Sequence, residues 1–342
     1  MSLHKLNQIA NRFTVVAVML VCMAMQACES APASKVEAVV EHKGQRFEII
    51  EGKLYKVNPA TGRRVFKENI YVPDYYKKNY KSINGKLYRL TKNGEKIPVF
   101  RTFSESFEDL KTVNDLIGPE RGWTSMTLMG PRTPTIKDYV RLRGEILSGR
   151  STFLDNRVEP SRTNVRSGKG ALRLYSLPPS RNMKVAKASL VNELLHFKKH
   201  DHVWVSGWFY VEKGQPVSII DFESSAYLKG AGMRILFSKD MRPRLELKWA
   251  TKPTYNMPRG KRFHFPKNKW VHVKLHYYLS DKDDGLAEMW VDDVLLISEK
   301  GQTLPLANTV YDRIEVGITA NPKGVETVLF VDDFAISEKE IR

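Results

Sequence analysis

The apolar and polar positions divide the chain into stretches of different period. Residues 13–24 are an apolar run interrupted only by Thr14. Further on, Ile50-Glu51-Gly52-Lys53-Leu54-Tyr55-Lys56-Val57 recurs 33 residues later as Ile83-Asn84-Gly85-Lys86-Leu87-Tyr88-Arg89-Leu90. Each copy reaches a second glycine, Gly62 or Gly94, before an apolar close at Val65-Phe66 or Ile97-Pro98-Val99-Phe100. The pairs Asn84-Gly85 and Asn93-Gly94 readily adopt the positive φ of tight turns, so the two copies predict two β-hairpins. From Ser104 onward, period-2 patterns predict nine strands, at residues 170–175, 203–211, 217–222, 233–237, 245–249, 270–279, 287–297, 313–319 and 327–336. Loops rich in Asp, Asn, Pro and Gly at 281–285 and 321–324 join neighbouring strands. No amphipathic helix longer than about three turns emerges. The expected class is all-β, with a two-sheet antiparallel sandwich preceded by a small two-copy β-hairpin module.

Composition agrees with a folded chain. With 342 residues and 42% hydrophobic positions, the sequence has room for one large or two ordinary domains and material for a core. Two cysteines exclude a disulfide scaffold and any cysteine-based zinc cluster.

The apolar run has a meaning of its own. Lys5 and Arg12 precede it and no acidic residue occurs before Glu29, the layout of an export signal. It is too short for the roughly 20 residues that span a bilayer. It ends in Met25-Gln26-Ala27-Cys28, which resembles the lipobox of bacterial lipoproteins. The resemblance implies cleavage before Cys28 and lipidation of that thiol. Glu29 stands where an inner-membrane retention aspartate is found, so the expected location is the cell envelope, anchored to the outer membrane. The alternative is an ordinary signal peptide, or an uncleaved anchor, that happens to hold a cysteine. The expected organisation is 1–28 signal, 29–40 flexible tether, 41–103 hairpin module and 104–342 sandwich.

The formal charge of +17 calls for an acidic partner. Residues 35–103 hold 16 Lys+Arg against 7 Asp+Glu, whereas residues 104–342 hold 37 against 30. Tyrosines accompany the basic stretch, among them Tyr75 and Tyr76, placed for stacking on sugar faces. An exported protein has little use for nucleic acid, which leaves an acidic polysaccharide or anionic envelope polymer as partner, besides the membrane through its lipid. The competing explanation is a structural hairpin pair whose lysines keep strand edges from aggregating.

Ser106-Phe107-Glu108-Asp109, Ser167-Gly168-Lys169-Gly170-Ala171-Leu172, Lys269-Trp270-Val271-His272-Val273, Gly285 through Asp293, and Phe330-Val331-Asp332-Asp333-Phe334 follow one another in an order that resembles laminin-G-like, concanavalin A-like jelly rolls. The resemblance implies a jelly-roll domain from Ser104 to Glu338. Such domains bind sugars, cleave them by hydrolysis or β-elimination, or serve as interaction modules, so activity must come from the site.

Residues 270–278 carry the most chemistry. Alternation sends Val271, Val273, Leu275 and Tyr277 inward and Trp270, His272, Lys274, His276 and Tyr278 outward. A uronate β-elimination needs a cation for the carboxylate, a base and an acid. Lys274 or Arg234 would neutralise, His272 or His276 would be base and Tyr278 acid. The same row also suits a glycan-binding groove, with Trp270 as stacking platform, or plain surface. Asp221 and Glu223 share one side of a strand, but the glutamate expected two residues before Asp221 in concanavalin-like glucanases is absent, which argues against a glycosidase and for a solvated strand end. The jelly-roll resemblance also implies a structural calcium, held by Asp333 of Asp332-Asp333 with Glu108 or Asp109. Core packing is the default expectation for Trp208 and Trp290. His196, His200 and His202 cluster beside lysines that repel a metal cation. The sequence therefore predicts an envelope lipoprotein that binds an acidic polysaccharide, with a polysaccharide lyase as alternative and a structural or protein-interaction lipoprotein as third reading.

Overall fold

The computed structural model describes residues 36–42, 44–71, 78–118, 121–250 and 252–341. Cys28, Tyr75 and Tyr76 lie outside them. Among the described residues no helix is long and apolar enough to cross a membrane. The chain forms two compact units, divided between Ile70 and Tyr71.

In the first unit, β1 (Val36–His42), β2 (Gln45–Ile50), β3 (Lys53–Val57) and β4 (Arg64–Asn69) form an antiparallel meander in chain order. Strand β1 begins within the stretch expected as tether. The β2–β3 turn places Glu51 and Gly52 both at positive φ, the tight hairpin the repeat predicts.

The second copy of the repeat folds in the other unit. Strands β5 (Asn79–Ile83), β6 (Lys86–Leu90) and β7 (Lys96–Pro98) make a three-stranded sheet, with Asn84 and Gly85 at positive φ in its first turn. The two copies are thus alike in local structure but belong to different units, because a period-33 pattern specifies hairpins and not what they pack on.

The rest of the second unit is the expected two-sheet sandwich. One sheet runs β10 (Arg157–Ser161), β11 (Ala171–Ser176), β22 (Thr327–Ser337), β13 (His202–Lys213), β18 (Trp270–Tyr278), β19 (Leu286–Val291), β20 (Val294–Lys300), with β8 (Thr102–Glu105) also on β22. The other runs β17 (Thr254–Tyr255), β16 (Pro243–Lys248), β15 (Gly232–Phe237), β14 (Ser218–Glu223), β21 (Arg313–Asn321), β12 (Ala186–Asn192), β9 (Ser125–Met129). Every pairing in both is antiparallel.

Alternation places the core as expected: Val271, Val273, Leu275 and Tyr277 are buried, as are Ile220, Phe222, Val316 and Ile318 on the opposite sheet. The strand expected over 287–297 is instead two, because Asp292 and Asp293 both adopt positive φ and turn the chain into a hairpin. A 12-residue helix, α1 (Ile136–Leu147), packs on β9. Thr135 caps it, its hydroxyl accepting from the Asp138 N–H while Asp138 reaches back to the Thr135 N–H, a capping box. Its 12 residues are about three turns, the longest the sequence allowed.

Candidate functional site

The two sheets pack inner face to inner face, so their outer faces look in opposite directions. This separates the predicted residues. Trp270, His272, Lys274, His276 and Tyr278 share the outer face of the eight-stranded sheet, whereas Arg234 stands on the outer face of the seven-stranded sheet. Arg234 is therefore no partner of the histidine row.

The histidine face is satisfied within itself. His276 Nδ1 lies 2.8 Å from Glu288 Oε2 and its Nε2 lies 2.8 Å from His202 Nδ1, while Ser298 donates to the other Glu288 oxygen. His272 Nε2 is 2.8 Å from the Ser206 hydroxyl. Burial holds both imidazoles below their ordinary value, against the pull of nearby carboxylates. Aromatic rings pack on these histidines: Trp204 stacks on His276 at 4.0 Å, Trp208 on His272 at 4.9 Å, and the Arg166 guanidinium covers Trp208 at 4.0 Å. Lys274 sits 5.2 Å from the Trp290 ring and 3.9 Å from Glu340. Tyr278 stacks on His200, and Trp270 tilts against Tyr210. Trp208 and Trp290, expected in the core, are half-buried on this outer face, because the alternation buries Phe209, Met289 and Val291 instead.

The seven-stranded sheet carries a different arrangement. Strand register places Glu315 opposite Asp221, Asp221 opposite Arg234, and Arg234 opposite Glu246, a charged row running across four strands. A second row sets Arg313 opposite Glu223, Glu223 opposite Gly232, and Gly232 opposite Lys248. Gly232 leaves the slot through which Lys248 reaches Glu223 across β15. At Gly230, where φ is +58°, a β-carbon would stand 2.4 Å from a Glu223 oxygen. Lys187 from β12 completes the group, 2.9 Å from Glu315.

Burial sorts these charges by sign. The side chains of Glu315, Glu223 and Glu246 are 0%, 5% and 8% exposed, whereas Lys187, Arg313, Arg234 and Lys248 keep 21%, 26%, 24% and 25%. Carboxylates thus form a buried floor and cations an accessible layer above it. Burial pushes Glu315 up, but the Lys187 ammonium and Arg313 guanidinium outweigh it and hold its carboxyl at about 2. Glu223 goes the other way: burial and the neighbouring Asp221 raise it against Lys248 and Arg313. Asp221 accepts from the Ser218 and Thr319 hydroxyls. Asp221 and Glu223 are therefore buried members of a charged network, not the solvated strand end expected. From α1, half-buried Tyr139 feels the charges of Glu315 and Lys187, and burial raises its phenol.

Of this strip, sequence reasoning singled out Arg234, Asp221 and Glu223 and missed Lys187, Arg313, Glu315, Glu246 and Lys248. Charges two apart in otherwise apolar strands, as in Arg313-Ile314-Glu315 and Glu246-Leu247-Lys248, were the available signal.

Glu108 and Asp333, the expected calcium ligands, serve a loop instead. Glu108 accepts from the backbone N–H groups of Lys169 and Gly170, Asp333 from the Ser167 hydroxyl, and the neighbouring Asp332 from the N–H groups of Arg166, Ser167 and Asp333. These donors take both oxygens of Glu108 and Asp332 and one oxygen of Asp333. Among the described residues no group of three or more His, Cys, Asp and Glu is arranged to hold a metal ion.

No protein-family profile matches the chain, and no curated protein matches it. Solved structures do. An endo-β-1,4-glucuronan lyase from the fungus Trichoderma reesei aligns with a TM-score of 0.44 at 12% identity, over 54% of this chain and 87% of that one. The alginate lyase Aly36B aligns at 0.39 and 10% identity, over 71% and 98% of the two chains. A marine alginate lyase from Aplysia kurodai aligns at 0.36 and 12% identity, over 63% and 98%. Each is a distant likeness.

Proposed function

We propose that this chain is an exported, lipid-anchored protein that binds an acidic polysaccharide on the outer face of its seven-stranded sheet. The observation that carries the reading is the sorting of charge by depth: Lys187, Arg313, Arg234 and Lys248 present accessible edges above carboxylates that are more deeply buried. A uronate carboxylate approaching the strip meets guanidinium and ammonium donors, the groups that bind carboxylates best. The buried carboxylates hold those donors in fixed positions, which lowers the entropic cost of binding. Lipid attachment at Cys28 rests on the lipobox resemblance.

A second reading adds chemistry to the same strip. β-Elimination from a uronate requires the carboxylate neutralised, a base for the ring proton and an acid for the departing oxygen. The four cations would neutralise, Glu223 with its raised carboxyl would take the proton, and Tyr139 with its raised phenol would supply one.

The test is to pass the full chain over immobilised polygalacturonate and alginate, and to follow the same polymers in solution for the ultraviolet absorbance of an unsaturated uronide. Retention at low salt that is lost near 1 M, where screening shortens the field to about 3 Å, supports binding through the strip. New absorbance moves the conclusion to the lyase. Passage without retention or absorbance overturns both.

A further inference from the structure

The sheet β5–β7 has one face that fastens and one that presents. Alternation puts Tyr80 and Arg89 on the fastening face: the Tyr80 hydroxyl donates to Asp312 at 3.2 Å and Arg89 to the Glu193 carbonyl at 3.2 Å. Lys78, just before β5, adds an ion pair to Asp312 at 3.2 Å and a bond to the Glu193 carbonyl. These ties hold the sheet to the sandwich beside Arg313, the last cation of the strip.

The opposite face carries Lys81, Lys86 and Lys96, with Tyr88 between them. Register sets Lys81 directly opposite Tyr88, which in turn faces Pro98, while Lys86 precedes Tyr88 by two on the same side and Lys96 pairs with Leu90. All three lysines are exposed and Tyr88 is half-buried. None of the three is in a salt bridge among the described residues, in contrast to the strip, where every cation has a carboxylate. Lys81 and Lys96 also line an open depression of 520 Å³ together with Ser82 and Asn84, within the range of natural ligand sites of about 300–1,000 Å³. Residues 78–100 hold six cations and one carboxylate.

Unopposed ammonium groups around one phenol ring are what an acidic sugar chain recognises: carboxylates to the lysines, a pyranose face to the ring. A membrane surface would need an apolar wedge beside the cations. The apolar members of this face, Ile83 opposite Lys86 and Leu90 opposite Lys96, are half-buried and do not project beyond the lysines as exposed side chains.

We infer that the presenting face of β5–β7 is a second binding surface for the same acidic polysaccharide, with Tyr88 as stacking platform and Lys81, Lys86 and Lys96 as carboxylate partners. This rests on the proposed reading that the ligand is a polyuronate. From Lys78 to Lys81 and from Asp312 to Glu315 is six residues of chain, about 20 Å extended, to which the Lys78–Asp312 pair adds its own length. That path is the most the two surfaces can be apart, so a polymer reaches both and gains from the linkage.

The experiment compares the full chain with a K81S/K86S/K96S variant, a Tyr88→Ala variant and a strip variant, R234Q/E246Q. Each is titrated with alginate and polygalacturonate as polymers and as trimers, and with phosphatidylglycerol vesicles. Thermal unfolding shows that the exposed hairpin substitutions leave the fold intact. The lysine variant is expected to lose about tenfold or more in polymer affinity, and Tyr88→Ala a smaller factor, while trimer binding at the strip persists. Unchanged polymer affinity in the lysine variant overturns the inference and leaves the strip reading standing. Loss of vesicle binding with polymer binding intact overturns it in favour of a membrane-facing surface. Full polymer affinity in R234Q/E246Q together with loss in the lysine variant removes the strip and keeps the hairpin. No binding of any polymer to the unaltered chain ends both.

Discussion

Lys187 and Glu315 lie 2.9 Å apart, with the carboxylate wholly buried and the ammonium one-fifth exposed. The pair sets the electrostatics of the strip, because Glu315 also accepts from the Ser189 hydroxyl at 2.5 Å and from Arg313 at 3.4 Å. Removing Lys187 leaves a buried charge with one of its two cations. Lys187→Met is therefore expected to destabilise the fold by about 3–5 kcal/mol, and K187M/E315Q to recover much of that. Urea unfolding measures both; a double variant no more stable than the single one contradicts the account.

The same pair gives the strip an acid limit. Glu315 is held at about 2, below its unfolded value of about 4.5, so its stabilising contribution is complete above 4.5 and is lost as pH falls through that value toward 2. Unfolding free energy measured from pH 6 to 2 should fall over that window, and more steeply than in K187M/E315Q.

On the other sheet, His272 and His276 respond at milder pH. Burial holds both imidazoles below their ordinary value in the folded state, while an unfolded histidine takes up its proton near 6.5. Their contribution to stability is therefore full above about 6.5 and declines as pH drops below it. His276→Gln, which keeps a polar group beside Glu288 and His202, should flatten that decline between pH 7 and 5. An unchanged slope would show that His276 does not titrate on unfolding.

Chelators should leave the protein unaffected, because both oxygens of Glu108 and Asp332 and one oxygen of Asp333 already accept hydrogen bonds. EDTA is expected to leave the melting temperature unchanged. Glu108→Ala, which abandons the N–H groups of Lys169 and Gly170, is expected to cost about 1–3 kcal/mol. Restoration of the Glu108→Ala melting temperature by added calcium would contradict this assignment.

Arg234 and Glu246 test binding with little disturbance of the fold. Replacing both by glutamine removes a cation from the accessible layer without leaving a carboxylate unpaired. R234Q/E246Q should fold normally and bind a polyuronate several-fold more weakly, with a shallower dependence on salt. Isothermal titration at two salt concentrations checks it.

The sandwich was legible because each sheet buries one face, and the alternation in residues 271–277 and 313–319 states which. The division of β19 from β20 was not, since Asp292-Asp293 reads as polar outward positions until both adopt positive φ. For the site, the sequence named Arg234, Asp221 and Glu223 but grouped Arg234 with His272 and Lys274. Periodicity assigns a residue to an inner or outer side, and only the order of strands in the sheets says which outer side. Lys187, Arg313 and Lys248 were missed for the same reason: each is an unremarkable strand cation until register lays it over a buried glutamate.

The sorting of charge by depth also fixes how far each surface is felt. On the strip, cations and carboxylates are equal in number and separated mainly in height, so the field is that of a dipole sheet and dies away within a short distance. Lys81, Lys86 and Lys96 have no such counterweight among the described residues, and their field extends to the Debye length, about 8 Å at physiological ionic strength. On the proposed reading, a polyanion drifting toward the protein would be drawn in by the hairpin and seated by the strip, one setting the rate of capture and the other the time of residence.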